Sequence, residues 1–198
     1  MTMKSDILEK FPGQDFTSYS AEKIYVMDYT KQTNGAKGIE WSDSKPLDID
    51  SFVVNNSPLL DITFCAFKEN TIKLRGEVKE RSHSEGVLFP TINSGKTWIA
   101  FLELKYSNRK QLSDSLKKAR EQLLAILDLF RKQGIIEKKR LVHLIFSAPK
   151  YNKEGKYGTP FESWSMEPQE LKDIRKKKYA IMRGVNEFEV VSSEKLKI

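Results

Sequence analysis

The stretch Trp98-Ile99-Ala100-Phe101-Leu102-Glu103-Leu104-Lys105-Tyr106 is apolar apart from one glutamate and one lysine. Its aliphatic and aromatic residues predict a β-strand. Because side chains alternate across a strand, Glu103 and Lys105 must project from the same face. The opposite face holds Leu102, Leu104 and Tyr106. A charge pair in an apolar strand costs desolvation energy, so it is either a solvated pair on an edge strand or part of a functional site.

The elements predicted around this strand place it inside a sheet. The run Gly86 to Ile92 is a second strand, and the turn residues Asn93-Ser94-Gly95 predict that the two strands form an antiparallel hairpin. A long amphipathic helix is predicted from about 110 to 132 and ends before Gly134. Its apolar stripe consists of Leu112, Leu116, Ala119, Leu123, Ile126, Leu127 and Phe130. The apolar run Leu141 to Ala148 then predicts a buried strand parallel to the first.

The remaining patterns complete one predicted domain over residues 1–198, with its core at about 59–149. Leu59 to Phe67 and Thr71 to Lys79 are predicted strands that form a hairpin. Residues 1–58 are expected to form a helical region, whose main helix opens at Ser18 or Ser20 and runs to Tyr29. Residues 150–198 are expected to form a basic extension, which contains a loop at 151–160, a helix at 167–179 and a strand at 187–191.

The composition favours a polyanionic partner. The chain of 198 residues carries 34 Lys and Arg against 27 Asp and Glu, a net charge of +7 with a sequence pI near 9.3. Cys65 is the only cysteine, so an internal disulfide is excluded, and its apolar neighbours predict a buried side chain. No apolar run approaches the ~18 residues of a membrane helix and no signal peptide is visible. We therefore expect a cytoplasmic protein without a membrane partner.

The order of these elements, together with Glu103-Leu104-Lys105, resembles the PD-(D/E)xK nuclease superfamily. The resemblance covers roughly Leu59 to Pro149. It implies an α/β fold with a restriction-endonuclease-like αβββαβ core, in which a mixed central sheet is flanked by helices. Glu103-Leu104-Lys105 matches the second half of the family motif. For the first acid we expect Glu85, where the family usually has Asp, and the Pro-Asp dipeptide of the family is absent.

The chemistry of these residues agrees with the resemblance. Two carboxylates, Glu85 and Glu103, can hold Mg²⁺ or Mn²⁺ through hard oxygen ligands. A nearby ammonium, that of Lys105, can orient the attacking water or neutralise charge on the phosphorane. The resemblance also assigns Gln122, on the long helix, to the site. It implies an acid from the first helix as well, for which Glu22 is preferred over Glu9 and Glu40.

Basic residues interleaved with tyrosine predict the nucleic-acid-binding surface. They are Lys150, Tyr151, Lys153 and Lys156 after the buried strand, and Arg175, Lys176, Lys177 and Lys178 in the last predicted helix. Each group is also compatible with an ordinary solvated surface.

The predicted function is a metal-dependent phosphodiesterase, an endonuclease or exonuclease, that hydrolyses DNA. RNA stays open as a substrate, and a homodimer is compatible with the family. The first alternative is a catalytically inactive nuclease-fold protein that serves as a nucleic-acid-binding or assembly module. The second is an α/β protein of unrelated function in which Glu103 and Lys105 form a surface pair.

Overall fold

We describe a computed structural model of the chain, which covers residues 2–30, 32–35, 37–67, 85–92, 96–106, 111–152 and 168–198. The predicted strand at 71–79, the turn that precedes it and the turn at 93–95 lie outside these residues. The described residues contain three α-helices: α1 (Met3–Lys10), α2 (Leu112–Lys132) and α3 (Pro168–Lys178). None of these helices is both long and apolar enough to cross a membrane.

The strands in chain order are β1 (Asp15–Tyr19), β2 (Lys23–Asp28), β3 (Ile39–Ser42), β4 (Phe52–Asn55), β5 (Ile62–Ala66), β6 (Gly86–Pro90), β7 (Ala100–Leu104), β8 (Val142–Ser147), β9 (Ala180–Gly184), β10 (Glu187–Ser192) and β11 (Lys195–Lys197). A short 3₁₀ helix, Pro149–Asn152, follows β8. The chain is therefore an α/β protein with two mixed sheets.

The first sheet, here called the central sheet, has the strand order β1-β5-β6-β7-β8-β9. The strands β1, β5, β6 and β7 pair antiparallel, and β7, β8 and β9 pair parallel. The helix α2 connects β7 to β8, which is the connection that parallel neighbours require. The predicted antiparallel pairing of the two strands before α2 and the predicted parallel strand after it are both confirmed.

The predicted stripe of α2 is also confirmed, because all seven of its apolar residues are buried. Gly134 has a φ of +74° and follows the helix end, as expected for a left-handed residue beyond the last turn. Phe130 packs edge-on against Phe101 of β7, with ring centroids 5.1 Å apart. Such an aromatic pair adds about 0.5–1.5 kcal/mol beyond the area that it buries.

The helix predicted from Ser18 or Ser20 to Tyr29 is wrong. This segment forms β1 and β2 instead, and the buried residues of β2, Ile24 and Val26, alternate with the less buried Tyr25. A period of two is the pattern of a strand, and the β-branched side chains favour that conformation. Within residues 1–58 the described helix is α1, and β1 to β4 account for the strands.

The strands β2, β3 and β4 belong to a second sheet with the order β11-β10-β4-β2-β3. In this sheet β10 and β4 are parallel and the other pairs are antiparallel. The helix predicted at 167–179 and the strand predicted at 187–191 correspond to α3 and β10. The region after residue 150 thus contributes strands to both sheets.

Two layers cover the central sheet. Its first face packs against α1, α2 and α3 in one apolar cluster, which contains Ile7, Cys65, Phe101 and Ile174. Its second face packs against the second sheet, where Phe52 and Phe188 meet Leu102 and Leu104. The burial predicted for Cys65 is confirmed, since its side chain is fully buried. Because both faces of β7 are covered, any charged side chain on this strand must lie inside the protein.

Candidate functional site

Glu103 and Lys105 lie at the carboxyl end of β7, where the strand leaves the central sheet. The Lys105 ammonium contacts Oε1 of Glu103, so the two side chains share one face of the strand as predicted. The Glu103 side chain is completely buried, whereas the Lys105 side chain is 22% exposed to solvent. The hypothesis that Glu103 and Lys105 form a solvated surface pair is therefore wrong, because the Glu103 carboxylate has no access to solvent.

The environment of Glu103 opposes its ionisation. Burial raises the pKa of Glu103 from 4.5 to about 7, and the Asp28 carboxylate adds to this shift, whereas Lys105 and the backbone amide of Glu85 favour the charged form. Oε2 of Glu103 is buried and has no hydrogen-bond partner among the described residues. A buried polar atom without a partner costs free energy, and such atoms concentrate at functional sites.

Glu85 immediately precedes β6, the strand that lies beside β7. Its backbone N–H donates to the carbonyl of Leu102 at 3.0 Å, and its own carbonyl accepts from the N–H of Phe67 at 2.9 Å. These bonds hold the backbone of Glu85 next to Glu103. The structure therefore places the backbones of the two acids that the sequence analysis paired side by side on neighbouring strands.

Gly86, the residue after Glu85, has no side chain, and this lets β6 lie close to β5. A Cβ atom at Gly86 would stand 2.7 Å from a ring carbon of Phe64 and would collide with the carbonyl of Cys65. Phe64 and Cys65 belong to β5, so this glycine lets β5 and β6 lie close at the end of the sheet that carries Glu85.

Tyr106 links this end of β7 to the second sheet. Its hydroxyl donates to the carbonyl of Asp50 at 2.7 Å and accepts from the N–H of Asp28 at 3.4 Å. Burial raises the pKa of Tyr106, and the carboxylates of Asp28, Asp50 and Glu85 raise it further. The carboxyl end of β7 is thus surrounded by negative charge, against which Lys105 supplies a cation.

Asp28 is the acid of the N-terminal region that approaches Glu103, and the sequence analysis missed it. It ends β2, and its Oδ1 accepts a hydrogen bond from the N–H of Thr30 at 2.8 Å. The sequence contained part of the information needed to find Asp28, since Ile24 and Val26 alternate with polar or aromatic residues. That alternation would have predicted a strand, but not its proximity to β7.

Glu22 does not join the site. It is exposed and precedes the first residue of β2, whereas Asp28 is the last. Six residues of strand separate these two positions by about 20 Å. The preference for Glu22 rested on the helix that the structure replaces with β1 and β2. Glu9 is exposed on α1, where it pairs with Lys10, and Glu40 lies on β3.

Gln122 lies ten residues into α2 and is half-buried. At 1.5 Å per residue this position is about 15 Å along the helix from its first residue. The part assigned to Gln122 in the site stays a prediction.

The predicted nucleic-acid-binding residues fall in two places. Lys150 is exposed in the 3₁₀ helix after β8, which also contains Tyr151, while Lys153 and Lys156 lie outside the described residues. The other four lie on α3, which packs into the helix layer through Ile174. Of these, Lys177 pairs with Asp173 at 2.9 Å and Lys178 with Asp128 at 2.7 Å, while Arg175 and Lys176 are exposed.

A cavity of about 920 Å³ opens beside the candidate site, and Tyr106 and Lys150 form part of its wall. The other lining residues come from the outer face of the second sheet and from the segment 45–51. The cavity is therefore adjacent to β7 but lies mostly on the second sheet.

Within the described part of the chain, no group of three or more His, Cys, Asp or Glu side chains is arranged to hold a metal ion. The site has instead one buried carboxylate, Glu103, a second acid at Glu85 and the ammonium of Lys105. Comparisons of the chain with protein-family models, with curated proteins and with solved structures found no match.

Proposed function

We propose that the chain is a metal-dependent phosphodiesterase that hydrolyses DNA at the carboxyl end of β7. The observation that carries this proposal is the buried Glu103, whose Oε2 has no partner among the described residues and whose Oε1 contacts Lys105. A buried carboxylate with one unpartnered oxygen costs folding free energy, so its presence at the carboxyl end of a strand favours a role in binding or catalysis.

The order of elements supports the same proposal. α1, the antiparallel strands β5, β6 and β7, the helix α2 and the parallel strand β8 occur in the order of an αβββαβ restriction-endonuclease-like core, with β1 to β4 inserted between α1 and β5. In such a core the acid-x-Lys motif ends the third of these strands, which here is β7. The chain adds β1 and β9 at the edges of the central sheet.

The available donors fit a hard divalent cation. Mg²⁺ is usually bound by one or two carboxylates and completes its octahedron with waters and substrate phosphate oxygens. Glu103 and Glu85 would hold the ion, and the unpartnered Oε2 of Glu103 is a ready ligand. When bound, Mg²⁺ or Mn²⁺ would polarise the phosphodiester and lower the pKa of the attacking water.

The chain itself would supply positioning and charge. The carboxylate of Glu103 cannot swing out to solvent, because Leu102 and Leu104 on either side are fixed in the core. Lys105 is partly exposed, so its ammonium can reach both Glu103 and a phosphate outside the sheet. There it would orient the water or stabilise the negative charge that develops on the phosphorane.

Two observations favour the alternative, a nuclease-like fold that binds nucleic acid without cleaving it. Lys105 already neutralises Glu103, and the described residues contain no set of three ligands for a metal. In such a module the ion pair would be structural, and nucleic-acid binding would depend on the net charge of +7.

Cleavage of supercoiled plasmid and of single-stranded DNA in Mg²⁺ or Mn²⁺ tests the proposal. We expect Glu103→Gln to abolish cleavage, and Lys105→Ala to slow it by about 10²–10³-fold, as expected when one charge-stabilising donor is removed. The matched controls are Glu194→Gln and Lys195→Ala, which change exposed residues at the turn between β10 and β11 and should cleave like the wild type.

Thermal unfolding of each variant would show that the losses are not losses of folding. Wild-type protein that binds DNA but cleaves neither substrate with either metal would reject hydrolysis and support the binding module. Equal cleavage by the wild type and Glu103→Gln would mean that the activity comes from elsewhere.

A further inference from the structure

The cavity beside Tyr106 is a groove on the outer face of the second sheet. Alternate residues of β2 and β4 point away from the central sheet, and among them Lys23, Tyr25 and Asn55 line the groove. The segment 45–51 forms one wall, and Lys150 lies at the end where β8 leaves the central sheet. Because Tyr106 lines the same groove, its floor ends one residue from Lys105.

Three lysines line this groove: Lys23, Lys45 and Lys150. All three are exposed. No salt bridge joins any of them to another part of the described chain, in contrast to Lys177 and Lys178 on α3. Unpaired ammonium groups spaced along a groove are suited to successive phosphates of a nucleic-acid backbone.

The groove also contains acids, and this mixture distinguishes it from a simple anion site. Asp48 accepts a hydrogen bond from the Tyr29 hydroxyl at 2.9 Å, and Glu187 accepts one from Asn55 at 3.3 Å. Carboxylate and amide groups recognise the amino groups and ring nitrogens on base edges. Tyr25 adds an aromatic side chain on which a base can stack. Phosphates and bases together satisfy this set of groups better than a plain anion does.

The dimensions favour one strand. A cavity of about 920 Å³ is within the range that encloses small organic ligands, roughly 300–1,000 Å³, which suits unpaired nucleotides better than a base-paired duplex. At the rim, Leu47 is 101% exposed on the wall formed by 45–51. A fully exposed leucine beside unpaired lysines provides an apolar contact for an unstacked base.

We infer that a single strand of nucleic acid binds in this groove, with its phosphates on Lys23, Lys45 and Lys150 and a base on Tyr25, and passes Tyr106 toward the partly exposed ammonium of Lys105. One part of this inference rests on the proposed function, namely that the bound strand continues from the groove toward the phosphodiester site. It extends the predicted binding surface from the residues after β8 to the second sheet, and it leaves α3 out of the strand path.

The test is fluorescence anisotropy with a labelled oligothymidylate of about 12 nucleotides in EDTA, so that binding is measured without cleavage. We expect the double variant Lys23→Ala/Lys45→Ala to weaken binding about tenfold and to reduce the salt slope by about 1.4, the contribution of two phosphate contacts. The matched control is Lys138→Ala/Lys139→Ala, which removes two exposed lysines before the start of β8 and should bind like the wild type. Tyr25→Leu keeps apolar bulk but removes the ring face, and it should weaken binding at least about fivefold.

Equal binding by the groove variant and the control variant would overturn the inference, even if the wild type cleaves DNA with Mg²⁺. Loss of binding in the groove variant alone would support it, even if no metal produces cleavage. An oligonucleotide that the wild type does not bind in EDTA would also overturn it. A negative result for strand binding in the groove and a negative result for phosphodiester cleavage can therefore be distinguished.

Discussion

The two sheets of this protein hold the residues of the two proposed sites in different environments. The central sheet is covered on one face by helices and on the other by the second sheet, and its clearest chemical signal in the sequence is a charge in an apolar strand, Glu103. Among the described residues, one face of the second sheet packs against the central sheet, and its outer face carries lysines and a tyrosine that resemble any solvated surface. Burial makes a functional residue conspicuous in sequence, whereas exposure hides it among ordinary polar residues.

The largest stability effect is expected where the central sheet is tightest. Gly86→Ala should destabilise the protein by about 3 kcal/mol, because the new methyl group meets the carbonyl of Cys65 and the ring of Phe64. The control is Gly38→Ala, since nothing lies within 4 Å of where its Cβ would stand. Urea unfolding of both variants measures the difference. A Gly86→Ala protein as stable as the wild type would show that β5 and β6 are not closely packed beside Glu85.

A smaller effect is expected when the same substitution, Val→Ala, is made on one face of each sheet. Val87 lies on the helix-covered face of the central sheet and is fully buried, whereas Val53 is half-buried on the groove side of the second sheet. We expect Val87→Ala to cost about 2 kcal/mol and Val53→Ala less than about 1 kcal/mol. Chemical denaturation gives both values. Equal costs would mean that the outer face of the second sheet is packed, and the groove would not be open to a ligand.

The last comparison concerns the ionisation of Glu103, which is read from the pH dependence of stability. Its raised pKa means that the folded protein retains a proton between pH 4.5 and about 7 that the unfolded chain has released. Raising the pH through this range therefore destabilises the wild type relative to Glu103→Gln, which has no such proton. We expect the difference in unfolding free energy between the two proteins to change on the order of 1 kcal/mol for each pH unit of this range.

Urea unfolding in a metal-free buffer at four pH values from 4.5 to 7.5 measures this change, and the exposed Glu194→Gln serves as its control. A difference between wild type and Glu103→Gln that stays constant with pH would show that Glu103 ionises like an exposed glutamate. In that case the buried, unpartnered carboxylate would no longer support the proposed site.

Much of the central sheet could be predicted because its signals are local. The stripe of α2, the left-handed Gly134 and the apolar run of β8 each depend on residues close together in the chain. The N-terminal region failed because a hydroxyl residue before a mixed apolar stretch predicts a helix cap, whereas the alternation of Ile24 and Val26 indicates a strand. Propensity at one position was outweighed by burial against the central sheet.

The residues of the candidate site also fall into those that local sequence patterns predicted and those that they did not. Glu103, Lys105 and Glu85 followed from strand alternation and from the predicted hairpin. Asp28 and the hydrogen bonds of Tyr106 to the second sheet did not, because they join strands that are far apart in sequence. The groove was also missed, since Lys23 and Lys45 stand outside any basic cluster in the sequence.

The sequence by itself determined the four strands β5, β6, β7 and β8 of the central sheet, where the crossover helix begins and ends, and that Glu103 and Lys105 share a face. Those features depend on the periods of helix and strand, which a short window of residues contains. Only the tertiary structure decided that Glu103 is cut off from water, that Asp28 acts on it and that β4 pairs with β10 near the end of the chain. Burial and pairing between distant strands depend on how whole layers pack, and no local pattern records that packing.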